Sequence, residues 1–235
     1  MPYQLFDQRS GLEGTVSSIV RHKDTLYVGT YYGLFSLVPG EGVAPARFRK
    51  LEDIHGGCHA LLSTGGDLLA ATSDGVFAIK GLEVQTIYPL AGCRALRQSK
   101  RDPNRVFVGH MHGLSSLYLS DSHWRPEKDL EQLKDDIFSI TSDASGTLWL
   151  GTSLNKAIEV NIPLKQGVAA DPDFGQVQVT DHARGLPTGN ATVFLIEGKV
   201  YVVTTAKGGP LFVFDKGKQS FVLEARFGSR FGLDS

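Results

Sequence analysis

Asp143-Ala-Ser-Gly-Thr-Leu-Trp-Leu-Gly-Thr152 is a turn followed by a short apolar strand, and its second half recurs along the chain. Leu148-Trp-Leu-Gly-Thr152 has counterparts at Leu26-Tyr-Val-Gly-Thr30, Leu68-Leu-Ala-Ala-Thr72, Val106-Phe-Val-Gly-His110 and Val200-Tyr-Val-Val-Thr204. Successive copies end 42, 38, 42 and 52 residues apart. Side chains alternate faces along a strand, so Tyr27, Phe107 and Trp149 point the same way as the Gly two residues on. Both faces of the phrase are apolar, as expected of a strand buried on both sides. A Gly beside a large aromatic leaves room for a neighbouring sheet to approach.

Each copy has the same surroundings. An apolar segment and a turn precede it: Val16-Ser-Ser-Ile-Val20 before His22-Lys-Asp24, or Ile137-Phe-Ser-Ile140 before Asp143-Ala-Ser-Gly146. These Gly, Asn, Asp and Pro clusters are hairpin chemistry. A third strand follows, clearest at Gly33-Leu-Phe-Ser-Leu37, Gly75-Val-Phe-Ala-Ile79 and Gly113-Leu-Ser-Ser-Leu117. Fourth strands are expected at 47–51, 84–88, 124–127, 177–180 and 221–227. A period near 40 made of four antiparallel strands predicts an all-β fold, a β-propeller with about five blades in this chain. The units run approximately over 14–54, 55–90, 91–130, 131–182 and 183–228. A barrel or sandwich would not require so regular a period.

Composition narrows the function classes. A formal net charge of -1 gives no electrostatic footprint for nucleic acid. No apolar run approaches the roughly 18–20 residues that span a bilayer. The 27 glycines suit many short strands and tight turns. Met1-Pro-Tyr-Gln-Leu-Phe-Asp7 reads as an outer strand, in a fourth-strand position, and lacks the basic-then-apolar pattern of a secretory leader. Phe227-Gly-Ser-Arg-Phe-Gly-Leu-Asp-Ser235 echoes Gln8-Arg-Ser-Gly-Leu-Glu13, which leads into an innermost strand. The expectation is a piece of a longer propeller, with self-association or a second copy closing the ring.

The units resemble the two-component regulator propeller repeat. Gly185-Leu-Pro187 with Asn190 and Val193 matches its lead-in, Asp143 to Thr152 its centre, and Thr30-Tyr-Tyr-Gly-Leu34 its exit. The resemblance implies a non-enzymatic, ligand-sensing propeller in the periplasm, part of a receptor ending in a histidine kinase or diguanylate cyclase. The third unit, with Arg101-Asp-Pro-Asn-Arg-Val-Phe-Val-Gly109 and Ser120-Asp-Ser-His-Trp124, looks like a sialidase-type Asp-box repeat, a structural turn without catalysis. The fourth looks like the streptogramin lyase propeller, which supplies an enzymatic alternative.

Up-and-down strand order puts the loops entering each innermost strand on one face with those between second and third strands. The candidate ligand-binding residues of that face are Tyr31, Tyr32, His55, His59, Arg94, His110, His112, Asn155 and Lys156. Aromatic, cationic and amide groups of this kind suit a small-molecule ligand such as a carbohydrate. For any single one, a solvated loop residue is the plainer reading. His110-x-His112 beside Cys58-His59 has donor types suited to zinc, but the spacing is no metal motif. No cofactor is expected. Cys58 and Cys93 hold equivalent positions and read as small buried thiols, with a disulfide as the alternative. The stretch from Glu127 to Asp136 reads as a charged connection with room for one helical turn. The insert from Lys165 to Gly175 accounts for the 52-residue interval.

Overall fold

The structure is a computed structural model that describes residues 5–42, 44–154, 156–163, 172–182, 186–205 and 209–224. These form five four-stranded antiparallel sheets, each built in simple chain order. The first holds β1 (Val16–His22), β2 (Thr25–Thr30), β3 (Gly33–Val38) and β4 (Arg47–Lys50), and the second β5 (Cys58–Ser63), β6 (Leu68–Thr72), β7 (Gly75–Lys80) and β8 (Glu83–Tyr88). The third holds β9 (Cys93–Gln98), β10 (Arg105–His110), β11 (Gly113–Ser120) and β12 (His123–Asp129). The fourth holds β13 (Ile137–Ser142), β14 (Leu148–Thr152), β15 (Ala157–Asn161) and β16 (Gln178–Asp181). The fifth holds β17 (Ala191–Ile196), β18 (Lys199–Thr204), β19 (Leu211–Asp215) and β20 (Ser220–Leu223). The recurring phrase is the second strand of every sheet. The chain divides into two compact regions, up to Leu96 and from Arg97.

In the first region, the two faces of β2 feed different cores. Tyr27 joins Leu34, Ile54, Leu68, Ala70 and Ile79 between the first two sheets. Val28, one residue on, packs with Phe35 and Phe48 on the other face. Phe6 covers that face, its ring edge-on to Phe48 at 5.2 Å. In the second region Phe107, Leu148, Leu150 and Ile158 fill the space between the third and fourth sheets. Trp149, Val193, Val202 and Phe212 do the same between the fourth and fifth. Each fully buried Leu or Val contributes roughly 1.5–3 kcal/mol, so these double-sided strands supply much of the stability.

The Gly of the phrase has a specific use. A Cβ on Gly29 would meet Cys58 Sγ at 2.8 Å, and one on Gly109 would meet Ile137 Cγ2 at 2.7 Å. On Gly151 it would collide with the Ala191 carbonyl oxygen and Ser139 Oγ. Cys58, Ile137 and Ala191 are each the first residue of the next sheet's first strand. The missing side chain is therefore the socket into which the neighbouring sheet fits. Serines fasten the same contact: Leu61 N–H donates to Ser18 Oγ at 3.1 Å, and Val193 N–H to Ser139 Oγ at 2.9 Å. Ser18 and Ser139 both stand opposite the phrase Gly after a one-residue bulge.

Two local expectations are corrected. Leu5–Asp7 is not a strand; it leads into a short 3-10 turn, Gln8–Ser10, capped by Asp7. Asp7 accepts from Arg9 N–H at 2.9 Å while its own N–H donates to Ser10 Oγ at 2.8 Å, a reciprocal box that outcompetes extension. The stretch from Glu127 contains no helical turn: Glu127–Asp129 extend β12, and a plain turn follows at 131–132. Residues 1–4, 164–171 and 225–235 lie outside the described residues, and with them most of the insert and the C-terminal echo.

Candidate functional site

The two loop sets nominated for the site are joined by one hydrogen bond that recurs. The residue after the phrase donates its N–H to the carbonyl just before the sheet's first strand. The pairs are Tyr31 to Thr15 (3.3 Å), Ser73 to Gly57 (2.9 Å), Ser153 to Asp136 (3.1 Å) and Thr205 to Asn190 (3.0 Å). In four sheets, therefore, the loop leaving the second strand lies against the loop entering the first.

In the first region this end carries aromatic rings. Tyr31 and Tyr32 are 63% and 62% exposed, unusual for side chains of that size. Gly14, at φ +84, holds its backbone where any Cβ would strike the Tyr32 ring, so the ring rests on bare main chain. An open cavity of about 520 Å³ lies beside both tyrosines, floored by Phe6, Leu12, Thr15 and Val16. On the other side of Tyr31 stands His59, edge-to-face with centroids 6.0 Å apart. The His59 Nε2 is 3.0 Å from Ser73 Oγ. Burial, then the nearby Arg94 guanidinium, hold the His59 imidazole below its ordinary value, so it is neutral at neutral pH. His55 is exposed and Arg94 half-buried. The sequence reading missed Leu12, Thr15 and Val16, which precede or open β1 and bear no chemical signal of their own.

In the second region the candidates are more tightly engaged. His110 is 4% exposed, and both its ring nitrogens have partners. Ser115 donates its hydroxyl to Asp129 Oδ1 at 2.6 Å, and therefore accepts from His110 Nε2–H at 2.8 Å. Nδ1 accepts from the His112 N–H at 3.2 Å. That last bond explains the residue. At the same place Thr30, Thr72 and Thr152 accept, through Oγ1, from the N–H two residues on, at 3.1, 3.1 and 3.3 Å. His110 is thus the third sheet's version of a threonine turn cap. Burial holds its imidazole below the ordinary value despite the Asp129 carboxylate.

His112 is exposed on the loop tip. Lys156 reaches Asp135 at 3.2 Å and Asp181 at 3.3 Å, and its ammonium is held above the ordinary value mainly by the Asp135 bond. Asn155 lies outside the described residues. Cys58 and Cys93 are separate buried thiols, each pushed up to about 12 by burial, which makes them inert. Among the described residues no three His, Cys, Asp or Glu side chains converge as metal ligands, and no helix is long and apolar enough to cross a membrane.

No family model matches the chain, and no curated protein matches it in sequence. Solved structures do match. The extracellular domain of the hybrid two-component system BT4673 from B. thetaiotaomicron is similar over 89% of this chain, with a TM-score of 0.62 and 13% identity. The fold is a β-propeller. Virginiamycin B lyase from Staphylococcus aureus matches over 89% of the chain at a TM-score of 0.61 and 10% identity. The β-propeller domain of Swd1 from Myceliophteria thermophila matches over 88%, at 0.60 and 12%. The chain spans 28% of the length of the BT4673 domain, against 69% of the lyase and 72% of the Swd1 domain. At these identities the likeness is one of blades and their packing.

Proposed function

We propose that this propeller is a ligand-sensing module, part of the extracytoplasmic region of a bacterial signalling receptor, and that it binds without chemical turnover. The observation that carries the reading is the loop end of the first region. Two exposed tyrosine rings flank an open cavity, with a neutral histidine and a serine hydroxyl beside them. Aromatic faces beside hydrogen-bonding groups suit a carbohydrate ligand. The fold likeness to receptor ectodomains such as BT4673 and BT3049 supports the sensing role.

Its test is a saccharide array, followed by calorimetric titration of the strongest hit. Tyr31→Ala is expected to weaken binding at least tenfold; unchanged affinity in Tyr31→Ala/Tyr32→Ala would overturn the site. For the receptor, the same gene is expected to encode a membrane helix and a kinase or cyclase; a gene without them would overturn that part.

Contact with further blades, from the rest of a receptor or a second copy, belongs to the same proposal. Val16 and Ile19 on β1 are 42% and 62% exposed, whereas Cys58, Ile137 and Ala191, which open first strands packed by a preceding sheet, are wholly buried. Ile19→Lys is expected to reduce association in sedimentation velocity runs.

The lyase likeness favours a second, enzymatic reading on the histidine-bearing face. Incubation with virginiamycin B, followed by liquid chromatography and fragmentation in tandem mass spectrometry to resolve the cyclic compound from an isomeric linear product, separates the two. Consumption that is lost in His110→Ala/His112→Ala would make the protein an enzyme; intact antibiotic leaves binding.

A further inference from the structure

The second region holds a cavity of about 510 Å³ at the opposite end of its sheets from the nominated loops. It is bounded by the hairpins joining first to second and third to fourth strands, at Asp143, Gly198 and Asp215. Its volume lies in the range of small-molecule sites. The inner wall is apolar: Trp149, Phe214, Val213 and Val200 line it. Trp149 and Phe214 are 4.7 Å apart between centroids, in tilted contact, and His182 stacks on the indole at 5.4 Å.

Three features point to what such a cavity takes. The Trp149 Nε1–H is buried and finds no acceptor among the described residues, a donor that a folded protein seldom leaves unused. Lys199 and Lys216 stand at the rim, and neither pairs with a carboxylate among the described residues. At least one oxygen of each rim carboxylate is already engaged within its own hairpin. Asp143 Oδ1 accepts from Ser145 N–H and Thr147 N–H at 2.9 and 3.1 Å. Asp215 Oδ1 accepts from Gly217 N–H and Lys218 N–H at 2.9 and 3.1 Å, and Oδ2 faces Lys218 Nζ at 3.9 Å. The mouth is open, since a side chain at Gly198 would meet nothing within 4 Å.

We propose that this cavity is a second binding site, for a small aromatic carboxylate whose ring lies against Trp149 and Phe214 and whose anionic group meets Lys199 and Lys216. It is separate from the tyrosine-lined cavity, so either can fail without the other. Binding joins the fourth sheet, through Trp149, to both outer hairpins of the fifth, and so stiffens their contact.

The test uses 4-nitrobenzoate, an aromatic carboxylate that quenches indole emission. The chain has two tryptophans, so Trp124→Phe leaves Trp149 as the sole reporter. Saturable quenching is expected, with at least tenfold weaker binding of neutral 4-nitrobenzyl alcohol. Lys199→Glu/Lys216→Glu, at two exposed positions, should weaken 4-nitrobenzoate at least tenfold while the circular dichroism spectrum stays unchanged. Val213→Phe, which fills the space without adding an indole, should abolish saturation. Absence of saturable quenching in the starting protein, or an affinity untouched by the lysine changes, would overturn the site.

Discussion

β10 and β14 occupy the same position in the third and fourth sheets and are finished by different chemistry. Both place a Gly against the first residue of the next sheet, Ile137 in one case and Ala191 in the other. Both end in a side chain that caps the following turn, His110 or Thr152. Around these fixed points the third sheet is ionic. Arg105 bonds Asp102 at 2.9 Å and Glu127 at 2.8 Å, with Ser116 donating to Glu127. The fourth is aromatic, with Trp149 and the adjoining His182 in contact with Phe214 and Phe221 of the fifth. The repeat thus prescribes a shape and a turn, and leaves open whether charge or hydrocarbon fills it.

Breaking the ionic side should have the largest effect. Arg105→Ala leaves Asp102 buried without its cation, and a loss of about 3–5 kcal/mol is expected in urea unfolding. On the aromatic side Gly151→Ala comes next, at about 2–3 kcal/mol, because the added methyl faces the Ala191 carbonyl, which is main chain and cannot turn aside. Gly109→Ala faces the Ile137 side chain instead, and about 1 kcal/mol is expected. Equal losses at the two glycines would show that the sockets are softer than their geometry.

The smallest effect sharpens the contrast between caps. Burial lowers the values of His22, His59 and His110 in the folded chain, so the unfolded chain binds more protons below the ordinary histidine value of 6.5. Their contribution is complete above about pH 6.5 and is lost as pH falls through the folded values. Thermal unfolding at pH 7 and pH 5 should show a lower midpoint in acid. His110→Thr should make that drop smaller, since threonine caps the turn without titrating. An unchanged pH dependence would mean that His110 is not the proton-sensitive cap.

Strand order and the double-sided strand recur five times and the glycine socket three times, and they were legible in the chain because repetition separates geometry from accident. What occurs once was harder to read. His110 looked like a ligand-binding residue, since a histidine in a threonine's place has the chemistry of a site; only the His112 N–H reveals its use. Leu5-Phe-Asp7 alternates like a strand, but Asp7 and Ser10 close on each other within four residues. The cavity beside Trp149 had no local signal, because its walls come from residues near 143–149, 198–200 and 213–222 that meet only after the sheets are stacked.

The recurring bond from Tyr31, Ser73, Ser153 and Thr205 to the preceding loop is made entirely by main chain. Nothing in it depends on which side chain the donor bears; proline alone is barred, for want of the hydrogen. The loop ends of this protein are consequently a surface whose decoration can drift or be randomised while the frame beneath stays in register, much as letters are changed on a fixed line of type.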